Sequence, residues 1–330
     1  MALFKKKAAT NTNAEVDTFK SSNKLNIEPF LYLLPFIIGI LIFTIYPIFN
    51  VLRYAFIEGL GHPLGKQLAD RCTFFLTSAS SKGCELTWGL ENFTYVLKDK
   101  YFWSALKNTF QYVICVVPVS TCLAIIFAVL LNQKIKLRGL FQTVFFLPMV
   151  TSAIAVGICW KYLFNYNYGF INYLLNVFGI ASVDWLGQAS MNIWAVIIYG
   201  IWDIMPMTII LLLSGLQNID EMYYTAAKVD GAKTLRIFFR ITVPLLAPTI
   251  GLVMILNTIS CFKVYSSIFP LFNGSAGITG KNLYTAVFYI YNQFFINSKY
   301  GRASAAAILL FFIIFAFTMF QKWFQNKASN

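Results

Sequence analysis

Residues Asn192–Gly215 read NIWAVIIYGIWDIMPMTIILLLSG, 24 residues with one charged side chain, Asp203, and one proline, Pro206. About 20 mostly apolar residues are needed for a helix to cross ~30 Å of hydrocarbon, and a surface helix of a soluble domain shows a polar face. This stretch has none, so it reads as a membrane span. Working outward, five more stretches have the same character: Pro29–Leu52, Asn108–Leu131, Thr143–Phe164, Pro244–Phe269 and Ala303–Phe324. Unpaired backbone groups are not tolerated in lipid. The expected fold class is therefore all-α, a polytopic bundle of six transmembrane helices.

Composition agrees. The chain has 330 residues, 58% hydrophobic and only 12% charged, against roughly 25% charged in soluble domains. That excludes a water-soluble globule, a disordered chain and a small disulfide-stapled scaffold. The net charge of +13 then speaks of topology and anionic lipid headgroups, not of nucleic acid. Segments 1–28, 132–141, 216–243 and 321–330 hold 14 Lys and Arg over 76 residues, and the segments on the opposite side hold 10 over 114. Basic residues concentrate on the cytoplasmic side, so both termini are expected there, in a multi-pass protein of the bacterial plasma membrane.

The first apolar stretch is not expected to be a cleaved signal: it is longer than a 7–15-residue signal core and no small-x-small site follows it. Lys5, Lys6 and Lys7 and a Ser/Thr/Asn-rich run precede it, a charged tail suited to the inner leaflet. The expected division is a tail at 1–28, the first span and an outer loop at 29–107, a five-helix core at 108–324 and a short tail at 325–330.

The longest inner connection, 216–243, is not a plain linker. Asp220 is an N-cap candidate, and Glu221 adds negative charge in the first helical turn. A helix is expected from there to Val229, stopped by Asp230-Gly231. A second short helix, Ala232–Ile241, would carry Arg236 and Arg240 one turn apart and end at Pro244. Ala226, Ala227 and Gly231 are small enough for another backbone to approach closely.

Here the sequence resembles the permease subunits of ABC importers, whose cytoplasmic loop reads Glu-Ala-Ala, three residues, Gly, nine residues, Ile-x-Leu-Pro. This chain has Thr225-Ala226-Ala227, then Gly231, then Ile241-Thr242-Val243-Pro244 at the same spacing. Thr225 replaces the usual glutamate and Val243 the leucine; Glu221, one turn earlier, is the carboxylate nearest the missing one. Gly89-Leu90-Glu91-Asn92-Phe93, Phe145-Phe146-Leu147-Pro148 as the opening of the third span, Asn273–Gly277 and Tyr300–Ala306 resemble the carbohydrate branch, in particular its maltose- or glycerol-phosphate-type first permease. The resemblance covers roughly 89–324.

It implies a type I importer subunit for a sugar or oligosaccharide, forming half of the translocation pathway. Implied partners are a second homologous permease, an ABC ATPase dimer and an extracellular solute-binding protein, besides membrane lipids. It also implies a lever at Glu221, Thr225, Ala226, Ala227, Asp230, Gly231, Arg236, Ile241 and Pro244 that couples the bundle to the ATPase. No Gly-x-x-x-x-Gly-Lys-Ser/Thr sequence occurs, so ATP is expected to be used by the partners, with no cofactor in this chain.

Within the spans, Asp203 is costly, and Pro206 frees the Trp202 carbonyl. Trp202 and Asp203 are substrate-pathway candidates, the alternative being a polar contact between helices. Lys263 either snorkels, pairs with Asp203 or touches the substrate; Asn257, Tyr265 and Trp160 are weaker candidates. Cys72 and Cys84 face the oxidising side and form either a disulfide or two free thiols. Cys115, Cys122, Cys159 and Cys261 are expected to pack within spans. One histidine, His62, and no cluster of metal-ligating residues point away from metal binding and catalysis. The competing reading is an ion-coupled secondary transporter of small polar solutes, which would want more membrane carboxylates and an internal repeat.

Overall fold

The computed structural model describes residues 28–58, 88–133, 136–266, 268–272 and 283–329. The Lys5–Lys7 tail, His62, Cys72, Cys84 and the Asn273–Gly277 motif lie outside these residues. The described chain is helical, and its one β-bridge joins Ile57 and Trp88. It forms two compact units divided between Phe49 and Asn50.

Helix α1 covers 28–56. Then come α2 (Glu91–Lys98), α3 (Lys100–Asn132), α4 (Arg138–Val150), α5 (Ala153–Leu163), α6 (Phe170–Val177), α7 (Asn192–Gln217) and α8 (Glu221–Val229). The chain ends with α9 (Thr234–Phe262), α10 (Ile268–Leu271), α11 (Ala286–Ile296) and α12 (Tyr300–Ser329). Helices α1, α3, α7, α9 and α12 are long and apolar enough to span a membrane; α4 and α5 pass the same test only as a pair, bent by 103° at their junction.

Three boundaries differ from the sequence reading. The third span is not one helix, and Pro148 does not open it: Pro148 lies near the end of α4. The amide and hydroxyl of Thr151 both donate to the Pro148 carbonyl, at 3.3 and 2.7 Å. Thr151 and Ser152 are extended, with ψ of 153° and 125°, so the chain turns before α5 starts. Ala232–Ile241 is not a separate helix closed by Pro244 either, because α9 runs unbroken from Thr234 to Phe262. A π turn, Phe238–Thr242, precedes Pro244. In an α-helix the proline ring would collide with the carbonyl four residues back, and the wider turn moves that carbonyl aside. The same device recurs in α1, where the π turn Leu41–Ile45 precedes Pro47. Finally, the fifth span stops at Phe262, short of Phe269; Lys263 is its C-cap.

Two apolar clusters hold the second unit together. One gathers Tyr112, Val116, Tyr199, Phe262, Ile268 and Tyr289 with their neighbours. The other is built from Ala124, Ala128, Ile209, Leu212, Leu246 and Val253. Small residues let the helices approach, as is usual where lipid supplies no hydrophobic drive. Gly200 is one: a Cβ there would run into the Tyr112 ring. Cys261 is buried in the first cluster, as a packing residue should be, whereas Cys122 and Cys159 are exposed and Cys115 only half-buried.

The short helix α2 ties several ends together. Buried Asn92 donates to the carbonyls of Ala55 (3.1 Å) and Ile57 (2.9 Å). The Arg302 guanidinium, at the start of α12, sits 3.4 Å from the Tyr95 ring centre. Asp99 caps α3 by accepting from the Tyr101 amide (2.9 Å), and its other oxygen accepts from the Tyr289 hydroxyl of α11 at 2.7 Å. Burial first, and then that bond to Asp99, push the Tyr289 phenol above its usual value.

Candidate functional site

Two places bring sequence-predicted residues together: the α8 corner and a cavity among α3, α7 and α9. The corner begins at Asp220, whose carboxylate accepts from the Met222 amide (2.9 Å) and caps α8. Glu221 occupies the first turn, where the helix dipole favours it. The Thr225 hydroxyl donates to the Glu221 carbonyl at 3.0 Å, so the residue standing in place of glutamate spends its polar group on its own helix.

Helix α8 ends in a Schellman turn. The Ala232 amide donates to the Ala227 carbonyl and the Gly231 amide to the Lys228 carbonyl, both at 3.0 Å. That pattern needs a left-handed residue at the stop, and Gly231 has φ +70°. A Cβ at Gly231 would meet nothing within 4 Å; glycine serves the backbone there and leaves open space around it. Of α8's residues only Ala227 is buried, while Met222, Tyr223 and Val229 are exposed. Beyond the turn, Leu235, Arg236, Phe239 and Arg240 are exposed, Ile241 is half-buried and Pro244 is exposed. The corner thus offers apolar and basic side chains on a helix held by one alanine.

The cavity, about 200 Å³, is lined by Tyr112 of α3, Gly200, Asp203 and Ile204 of α7, Ser260 and Cys261 of α9, and Lys263, Val264 and Ser266 just beyond. Asp203 and Lys263, predicted separately, share this wall. Trp202, the neighbour of Asp203 in sequence, is not part of that lining and stands in an aromatic group: its ring centre lies 5.5 Å from that of Trp160 and 6.2 Å from that of Tyr199. Asn257 is elsewhere, buried, with its carboxamide donating to the Thr208 hydroxyl at 3.0 Å. Tyr265 sits in a row of rings with Phe269, Phe288 and Tyr291, 5.0 Å from the last. Burial and a hydrogen bond with Tyr291 push its phenol up to about 12.

Sequence reasoning missed Tyr112, Ser260 and Ser266, since hydroxyls in spans are common and carry no insertion penalty that singles them out. The segment after α9 is pinned by α10: a Cβ on Gly157 of α5 would overlap the Pro270 ring. The arrangement can offer hydroxyls, one carboxylate and one ammonium to a polar solute. Among the described residues no group of three or more metal-ligating side chains occurs.

Comparison with known proteins gives three findings. The model of the family described as "Binding-protein-dependent transport system inner membrane component" matches residues 120–330. The trehalose/maltose transport system permease MalF of Thermococcus litoralis is 33% identical over 231 residues, covering 70% of this chain and 77% of its own. The arabinooligosaccharides transport system permease AraP of Halalkalibacterium halodurans is 29% identical over 314 residues, covering 94% and 91%. In fold, the chain is similar to a bacterial ABC transporter involved in alginate import, with a TM-score of 0.74 over 92% of this chain and 98% of that one at 22% identity.

Proposed function

We propose, from the premise that this chain belongs to the family of binding-protein-dependent transport system inner membrane components, that it is the permease half of an ATP-driven importer for a sugar or oligosaccharide. The premise sets aside the ion-coupled carrier and places the chain among transport components, not enzymes. The names of the relatives, trehalose/maltose and arabinooligosaccharide permeases, support the solute class. So does the chemistry of the cavity, where Tyr112, Asp203, Ser260 and Ser266 face the space; a hydroxylated solute suits such a set of hydrogen-bonding groups.

The observation that carries the reading is the α8 corner. A nine-residue helix anchored through Ala227 and stopped by a left-handed glycine is a handle whose exposed face seats in a groove of a separate ATPase. Closure of that ATPase on ATP moves α8, and the motion enters α9 through the unbroken run past Pro244. A second permease completes the pathway, and a solute-binding protein delivers on the opposite side. Both termini lie in the cytoplasm.

Gly231→Trp fills the open space at the turn and is expected to leave the protein inserted while separating ATP hydrolysis from uptake. Accumulation of labelled sugar by proteoliposomes at the wild-type rate would overturn the handle.

A further inference from the structure

The segment joining α5 to α7 carries helix α6, one face of which is apolar and exposed. Its sequence, FINYLLNV, holds no charge, and the whole segment 165–191 holds no Lys or Arg and one carboxylate, Asp184, which accepts from the Gly187 amide at 2.7 Å. Outward, Phe170, Tyr173, Leu174 and Val177 are all exposed, at 55, 65, 41 and 64%. They follow the i, i+3, i+4, i+7 spacing of a single helix face. The one carboxamide exposed on α6, Asn176, is bonded to Ser182, and the Tyr173 phenol is the other polar group on its surface.

Inward, the polar capacity of the segment is spent. Buried Asn172 donates to the Val183 carbonyl (2.9 Å) and accepts from the Val183 amide (3.1 Å) and the Trp185 indole (3.0 Å), while Ile171 packs on the core. An exposed apolar helix face of this kind is stable where something other than water covers it.

The cover is indicated by continuity. On α5, Ile154, Ile158 and Tyr162 are exposed at four-residue intervals, an apolar stripe down one face of the helix. The Tyr162 ring lies 6.5 Å from that of Tyr168, and Phe170 stacks with Tyr173 at 6.5 Å. Exposed rings thus lead from α5 to α6 across the turn that holds Asn165 and Asn167, and tyrosines gather there, as they do at membrane–water boundaries.

We propose that α6 lies flat in the interfacial layer of the leaflet opposite α8, with its Phe170–Tyr173–Val177 face against phospholipid acyl chains. It thereby holds the α5–α7 connection at a fixed depth, a role in lipid recognition separate from transport chemistry. The assembled transporter is placed in nanodiscs of phosphatidylethanolamine and phosphatidylglycerol, with photoreactive benzoylphenylalanine replacing Tyr173, Val177 or, as a span reference, Ile158. After illumination, mass analysis is expected to find a single-phospholipid adduct at Tyr173 and Val177 in yield comparable to Ile158. Adducts to another polypeptide at these positions, or no lipid adduct there, overturn the proposal. In a second measurement Val177→Arg, an exposed change, is expected to speed hydrogen exchange over 170–178 in the same nanodiscs; exchange equal to the parent protein overturns it as well.

Discussion

Asn92 and Gly301 fit together because one has a carboxamide and the other has no side chain: a Cβ on Gly301 would lie 2.6 Å from the Asn92 amide nitrogen. The first residue lies on α2 and the second at the start of α12, so two stretches that resemble one family in sequence meet in space. Asn92 is free to reach the Ala55 and Ile57 carbonyls only while Gly301 stays bare.

Asn92→Ala leaves two carbonyls without their donor, and such losses cost about 1–3 kcal/mol. Thermal unfolding in detergent should show a lowered midpoint. Gly301→Ala should also destabilise, yet less in the Asn92→Ala background, where the colliding amide is gone. Strict additivity of the two changes in Tm would contradict the packing described.

Gly231 should tolerate asparagine and reject valine. The turn needs φ +70°, which β-branched residues adopt at a cost of about 1–2 kcal/mol. Hydrogen exchange of α8 amides is expected to rise with Gly231→Val and to change little with Gly231→Asn. Because the space there is open, the response should follow backbone preference, not side-chain size.

Tyr289 supplies a pH dependence. Burial and the bond to Asp99 hold its phenol above the ordinary tyrosine value, so its contribution to stability is fully present below the unfolded-state value of about 10 and is lost as the pH climbs through the higher folded-state value. Tyr289→Phe, which deletes the 2.7 Å bond to Asp99, should cost about 1 kcal/mol at neutral pH and flatten the alkaline decline. A decline of unchanged steepness in the variant would locate its origin elsewhere.

Thr208 and Asn257 couple α7 to α9 within the bilayer. A double-mutant cycle with Thr208→Val and Asn257→Leu should return about 0.6 kcal/mol, and below 2 kcal/mol, since unfolded helices in lipid find other partners. Reversible denaturation in mixed micelles would read it. A much larger coupling would mean that the pair holds further groups in place.

The spans and the α8 corner were legible because their causes are local. Apolar length alone defines α3, α7 and α12, and the cap chemistry of Asp220 and Gly231 sets both ends of α8. Asp203 stood out because charge in lipid is costly. The break after Pro148 was not legible: Pro118 and Pro206 lie inside α3 and α7, which run on unbroken. What distinguishes Pro148 is the Thr151–Ser152 geometry and the distant α10, which packs on α5. The continuity of α9 past Pro244 was hidden likewise, since a π turn is a backbone adjustment without a residue signature. Tyr112, Ser260 and Ser266 reach one cavity only through the packing of three helices.

The 103° bend between α4 and α5 has a consequence for biogenesis. With 13 and 11 residues, the two pieces are about 20 and 16 Å long, and neither crosses the hydrocarbon core unaided. The ribosome delivers them long before it makes Pro270, whose ring fits the bare backbone of Gly157. Until that late arrival the half-helices lean on α3 and α7, through the Phe127–Phe145 and Trp160–Tyr199 ring contacts, so a chain stopped before Pro270 would leave the Gly157 side of α5 uncovered.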